Sequence, residues 1–128
     1  MMASILVVDD EPDVVELFKR RFRRELRRGE YAIHFAGSAD EALAALKEGV
    51  EPAVILILSD INMPGMSGLA LLAETKRLWP SLPVAMITAY GDEESRRRAF
   101  DAGASDFLTK PLDFDELKTK VAQMLASR

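Results

Sequence analysis

The sequence contains no cysteine among its 128 residues. That absence excludes disulfides, zinc–thiolate sites and thiol catalysis. It has a single histidine, His34, with no second ligand type near it in sequence, so His34 reads as an ordinary strand residue rather than a metal ligand. An excess of positive charge is also missing: the net charge is −4, which argues against direct nucleic-acid binding by this domain. No apolar stretch approaches the ~20 residues of a membrane span. The first apolar run is short and ends in acids, unlike a signal peptide, and the expected compartment is the cytoplasm. No glycine-rich phosphate loop follows that first run, and the acids Asp9-Asp10-Glu11 would repel a phosphate there, which disfavours a nucleotide or flavin carrier. Linkers, repeats and low-complexity segments are absent too, so residues 1–128 read as one domain, with 48% apolar residues to build its core.

What is present is a set of short aliphatic runs that stop on polar residues. Val54-Ile-Leu-Ile-Leu58 has five consecutive aliphatics, the mark of a strand buried on both faces of a parallel sheet. The run breaks on Ser59 and Asp60, and the turn residues Asn62, Pro64 and Gly65 follow. Ile5–Val8 is a second such run, and it stops at Asp9-Asp10-Glu11. Pro83–Ile87 leads to Thr88, and Ala104–Leu108 leads to Thr109-Lys110-Pro111. Tyr31, Ile33 and Phe35 alternate with Ala32, His34 and Ala36, which predicts a strand at a sheet edge.

Five helices are expected between and after these strands. Pro12 and Asp13 open the first, whose stripe Val14, Leu17, Phe18, Phe22 and Leu26 extends it to about Arg28. Its other side carries Lys19, Arg20, Arg21, Arg23, Arg24, Arg27 and Arg28. That run reads either as a solvated helix face or as a docking surface for an acidic partner. Ser38 and Glu41 form a capping box, and Gly49 ends that helix. Ser67 caps a third helix that stops near Pro80, with Trp79 packing under its end. Asp92 caps a fourth, expected to bury Ala99 and Phe100, and Asp113 with Glu116 caps the last. Strands alternating with helices, joined by right-handed crossovers, make an α/β doubly wound parallel sheet.

In such a sheet, ligands bind at the carboxyl ends of the strands. Asp9, Asp10, Asp60, Thr88 and Lys110 all fall at predicted strand ends. One polar residue there is ordinary; acids, a hydroxyl and an ammonium together suit phosphoryl transfer, in which charge must be neutralised by a cation and directed donors. Asp9 and Asp10 can hold Mg²⁺, an oxygen-seeking cation. Asp60 can share the ion and attack phosphorus, while Lys110 and Thr88 bind the phosphoryl oxygens.

The pieces Val7-Val-Asp-Asp-Glu-Pro12, Ser59-Asp-Ile-Asn-Met-Pro-Gly-Met-Ser-Gly68, Ile87-Thr-Ala89, Gly103-Ala104 and Lys110-Pro111 resemble the receiver (phosphoacceptor) domain of two-component response regulators, in that family's order and over nearly the whole chain. The resemblance implies a flavodoxin-like strand order 2-1-3-4-5. It implies that Asp60 is the phosphoacceptor, that a sensor histidine kinase or phosphotransfer protein is the donor, and that Mg²⁺ sits on Asp9 or Asp10, Asp60 and the backbone carbonyl of Asn62. Thr88 becomes the switch hydroxyl, Phe107 the switch aromatic, and Lys110-Pro111 a cis peptide. Such a domain assists its own phosphotransfer and dephosphorylation without being an enzyme on a separate substrate. Tyr90, two residues after Thr88, stands where similar proteins tune phosphoryl lifetime, and is otherwise a loop tyrosine. Receivers often dimerise through the fourth helix, fifth strand and fifth helix; Arg96, Asp106, Glu116 and Lys120 occupy the positions of that face's ion pairs, or are solvated surface charges. A fused effector domain, absent from these residues, is a further expectation. The family usually runs Pro-Asp, four apolar residues and then the acceptor; here Pro52-Ala53 precedes five aliphatics and Ser59, so the entry to the third strand is longer or shifted. A phosphorylation-independent adaptor or dimerisation domain is the alternative, and its signature would be a missing acid, Thr or Lys. A phosphatase similar to the haloacid dehalogenases would need a second acid where Asn62 stands.

Overall fold

The computed structural model describes residues 3–89 and 91–126; Tyr90, singled out above, lies outside the described residues. Five strands, β1 (Ser4–Val8), β2 (Ala32–Ala36), β3 (Val54–Asp60), β4 (Val84–Thr88) and β5 (Asp106–Thr109), form one parallel sheet in the order β2-β1-β3-β4-β5. β2 is therefore an edge strand, as its alternating pattern predicts. Among the described residues six helices accompany them: α1 (Pro12–Arg21), α2 (Arg23–Arg27), α3 (Ala39–Glu48), α4 (Gly68–Leu78), α5 (Glu93–Asp101) and α6 (Phe114–Ala126). The sixth arises because the expected first helix is interrupted at Phe22, whose backbone leaves helical geometry at φ −100°, ψ 12° while its ring is buried beneath Lys118 and against Phe18 and Phe114.

Each face of the sheet is covered. Leu6, Val8, Ile57 and Met86 pack against α3, α4 and α5; Ile5, Val7, Leu58 and Ile87 pack against α1 and α6. The helix ends follow their capping chemistry. Ser38 Oγ accepts from Glu41 N–H at 3.1 Å, Ser67 Oγ from Ala70 N–H at 3.2 Å, Asp92 Oδ1 from Ser95 N–H at 2.7 Å and Asp113 Oδ1 from Glu116 N–H at 3.1 Å. Glu41 closes its box on Gly37 N–H at 3.2 Å instead of on Ser38. The Glu116 carboxylate turns to Lys120. Among the described residues, no helix is long and apolar enough to cross a membrane.

Two expectations are corrected. Phe100 is 39% exposed, since α5 buries only Ala99 and Phe100 lies on the flank of that helix, beneath the Arg96 guanidinium at 5.0 Å. β3 does not end at Leu58 but continues through Ser59 and Asp60, which pair with Met86 and Ile87 of β4. The irregular entry to β3 is resolved as a bulge. Ser4 pairs with Val54 and Ile5 with Leu56, so Ile55 is skipped and faces the same side as Leu56. The extra residue is absorbed at the start of the strand, and Asp60 keeps its place at the other end.

Candidate functional site

The strand order places β1 between β2 and β3, so the chain reverses its winding at the β1/β3 boundary and opens a crevice at their carboxyl ends. Asp9 directly follows β1 and Asp60 is the last residue of β3; both are buried, at 8% and 6% exposure. Their carboxylates, with that of Glu11, have oxygens that all lie within 4.8 Å of one another. The loop after β1 fixes the first of them: Asp9 Oδ1 accepts from Glu11 N–H at 2.9 Å. The loop after β3 fixes the other, since Asp60 Oδ1 accepts from Asn62 N–H at 3.2 Å.

Lys110, just past β5, reaches into this group. Its Nζ donates to Asp9 Oδ2 and to Asp60 Oδ2, each at 3.3 Å, and stands 3.8 Å from Glu11 Oε1. Burial draws the ammonium down, but the charges of Asp60 and Asp9 and its hydrogen bonds to them outweigh that, and its pKa lies above the usual lysine value. Asp60 goes the other way from an ordinary paired carboxylate. Desolvation pushes its pKa up, the Asp9 charge adds to the push, and Lys110 with the Asn62 N–H offsets only part of it. One ammonium does not neutralise three clustered carboxylates. A site of oxygen donors with uncompensated negative charge fits a hard divalent cation.

Thr88 ends β4 beside this crevice, 1% exposed, and its carbonyl accepts from Lys110 N–H at 2.9 Å. Phe107 of β5 pairs in register with Met86 and points into the core on the α3–α5 side, 7% exposed. The peptide Lys110-Pro111 is cis. Thus Asp9, Asp60, Thr88 and Lys110 are brought to one edge. Asp10 is exposed and its carboxylate is not one of the three that converge; Glu11 takes that place. Asn62 is tied in through its N–H.

Gly68 is a contributor that residue chemistry alone does not reveal. A Cβ at this position would lie 2.0 Å from the Asp60 carbonyl oxygen, and Gly68 N–H donates to Ile61 O at 2.8 Å. The first residue of α4 is thus pressed against the backbone at the end of β3. Its signal was the Ser67-Gly68 pair, legible as a cap but not as a close approach. Among the outward-facing charges, Lys120 pairs with both Asp106 and Glu116 of its own chain, while Arg96 covers Phe100.

The family model described as the response regulator receiver domain matches residues 5–122. The transcriptional regulatory protein ZraR of Salmonella typhimurium is 38% identical over 123 residues, covering 96% of this chain and 26% of ZraR. The response regulator protein PilR of Pseudomonas aeruginosa is 42% identical, with the same coverage of 96% and 26%. The chain therefore spans about a quarter of the length of these relatives. Among solved structures, the response regulator TrrA from Thermotoga maritima, in complex with Mg²⁺ and BeF, is similar with a TM-score of 0.78 at 36% identity, covering 96% of this chain and 99% of that one.

Proposed function

The chain belongs to the response regulator receiver family of two-component signalling, and on that footing we propose that Asp60 accepts a phosphoryl group from the phospho-histidine of a sensor kinase or phosphotransfer protein. The observation that carries this reading is the bridge from Lys110 to both Asp9 and Asp60 in a buried crevice where three strands end. Asp60 presents a desolvated carboxylate, a better nucleophile than a hydrated one. Asn62 N–H holds one of its oxygens and fixes the direction of the other. As the bond from Asp60 oxygen to phosphorus forms, the bond from phosphorus to the histidine nitrogen breaks, and Lys110 is placed to neutralise a phosphoryl oxygen.

Mg²⁺ is the cofactor this donor set fits, and Asp9, Asp60, the Asn62 carbonyl and either Asp10 or Glu11 would hold it; it would supply charge neutralisation on the phosphoryl oxygens. The similar TrrA structure contains Mg²⁺ with BeF, which supports the reading. Thr88 is the hydroxyl that contacts the phosphoryl group, and Phe107 is the aromatic whose packing registers it. The output is a shift of a two-state equilibrium at the surface of α5, β5 and α6, which serves a fused effector, a homodimer or both. The same site assists hydrolysis of the acyl phosphate, and the fitting compartment is the cytoplasm. Lys110→Ala is expected to fold normally but to uncouple phosphorylation from output. Arg96→Glu is expected to abolish phosphorylation-dependent dimers in sedimentation.

The test is an intact mass after incubation with Mg²⁺ and acetyl phosphate, with Asp60→Asn alongside. One phosphoryl adduct, absent in the variant and absent without Mg²⁺, is expected. No adduct with any donor would replace this reading with that of a phosphorylation-independent adaptor.

A further inference from the structure

The strongest charge asymmetry in the molecule lies away from the acidic crevice. Residues 19–28, the end of α1 and all of α2, hold seven cations and one acid; the other residues hold ten cations against twenty acids, a net −10. The seven cations are all exposed. Six of them, all but Lys19, line a groove of about 620 Å³ between α1–α2 and the start of α6, together with Asp115 and Lys118.

A merely solvated helix face would interleave acids at three- and four-residue spacing, and the rest of this surface does so. Arg77 on α4 pairs with Glu74, and Arg97 on α5 pairs with Glu94 at 2.8 Å and Asp101 at 3.3 Å. In the groove the spacing is like-on-like: Arg20 with Arg24, Arg23 with Arg27 and Arg24 with Arg28 are each four apart. Among the described residues, Arg20, Arg23, Arg24, Arg27 and Arg28 have no ion pair. The one acid of the run, Glu25, is turned inward, with its side chain 15% exposed and Oε2 3.3 Å from Lys118. Repulsion of this kind weakens a helix, and an acidic partner would offset it.

We propose that this groove docks a carboxylate-rich segment of a partner protein. Guanidinium groups bind carboxylates as matched forks, and five unpaired ones along a run of about 15 Å suit a short acidic segment. The surroundings argue for that occupant over other polyanions. Single-stranded nucleic acid needs exposed aromatic rings to stack on, and Phe18, Phe22 and Phe114 beneath the groove are buried. A membrane-binding helix needs an outward apolar face, and the exposed residues of α1's last turn and of α2 are cations. A long phosphate polymer would also meet the net −10 of the remaining surface.

The test uses the full chain and a fluorescein-labelled peptide of repeated Glu-Ala, with repeated Gln-Ala as control, read by fluorescence anisotropy. Saturable binding of the Glu-Ala peptide alone is expected. It should weaken about tenfold or more in the double variant Arg23→Glu, Arg27→Glu, less in Arg23→Gln, Arg27→Gln, and not at all in Arg77→Glu, whose arginine is already paired. Circular dichroism of each variant verifies the fold. Absence of saturable binding, equal loss in Arg77→Glu, or tighter binding to a single-stranded oligonucleotide or to phosphatidylglycerol vesicles would overturn the proposal.

Discussion

The two faces of the sheet are packed with different materials. On the α1–α6 face, Phe18, Phe22 and Phe114 form a mutual aromatic cluster with centroids 5.3 to 6.0 Å apart, extended by Tyr31 and Phe35. On the α3–α5 face, the buried apolar helix residues are Ala39, Ala42, Leu43, Leu71, Leu72 and Ala99, α4 also buries Gly68 and Thr75, and Phe107 is the one aromatic in the buried set among the described residues. α5 is held there by a single buried alanine, whereas α6 buries Phe114, Leu117 and Val121. Large interlocking rings fix a helix; small side chains let one slide or reseat. The crevice at Asp60 stands above both. The difference makes the α3–α5 face the one expected to respond to a phosphoryl group on Asp60, with the aromatic face as the anchor.

The largest effect that separates the faces is expected from Phe22→Ala. Removing a 1%-exposed ring that touches Phe18, Tyr31 and Phe114 should cost about 3–5 kcal/mol in denaturant unfolding. A loss below about 1 kcal/mol would mean that the aromatic face is not the anchor. Next is Gly68→Ala, which drives a methyl group into the Asp60 carbonyl. It should destabilise by about 1–3 kcal/mol and slow phosphorylation from acetyl phosphate, because either α4 or the acceptor loop must shift. Normal kinetics would show that α4 gives way freely.

Asp60→Asn should raise stability at neutral pH, since it removes a buried carboxylate that Lys110 compensates only in part and leaves Lys110 paired with Asp9. The sign follows from the raised pKa. The folded state binds the Asp60 proton more tightly than the unfolded state does, so the penalty is present above the folded-state pKa. It is relieved as pH falls through that value toward the ordinary aspartate range. The advantage of Asn over Asp should therefore shrink in acid, as measured by urea melts across pH. A destabilised variant at neutral pH would mean that the ion pair with Lys110 outweighs desolvation. The smallest effect is expected from Phe100→Ala, within about 0.5 kcal/mol, because its ring is on the surface under Arg96.

Much of this arrangement is legible in the residues, for definable reasons. The aliphatic runs before Asp9, Asp60 and Thr88 are too short for a helix and are closed by polar or turn residues, which marks them as buried strands and places those three residues at strand ends; Lys110 follows a mixed run, Ala104–Leu108, and was placed by the alternation of strands with helices. Ser38, Ser67, Asp92 and Asp113 announce helix starts because their oxygens satisfy N–H groups that the helix cannot. What escaped depends on contacts distant in sequence. The break at Phe22 reflects packing against Lys118 and Phe114, almost a hundred residues away. Phe100 directly follows Ala99, the buried residue of α5, and is turned to the flank of the helix under Arg96, which its apolar character does not announce. The entry to β3 looked irregular in sequence, but only pairing with β1 shows that Ile55 is the bulged residue. Glu11 joins Asp9 and Asp60 through a loop conformation fixed by its own N–H, which no spacing rule encodes.

The most direct test of the central claim, that Asp60 chemistry is read out on the small-residue face, is amide hydrogen exchange with and without Mg²⁺ and beryllofluoride, a phosphoryl analogue. The expected result is altered protection in the loop after β4, in α5 and in β5, with α1 and the Phe114 end of α6 unchanged. Changes confined to α1 and α6, or none beyond the crevice itself, would contradict it.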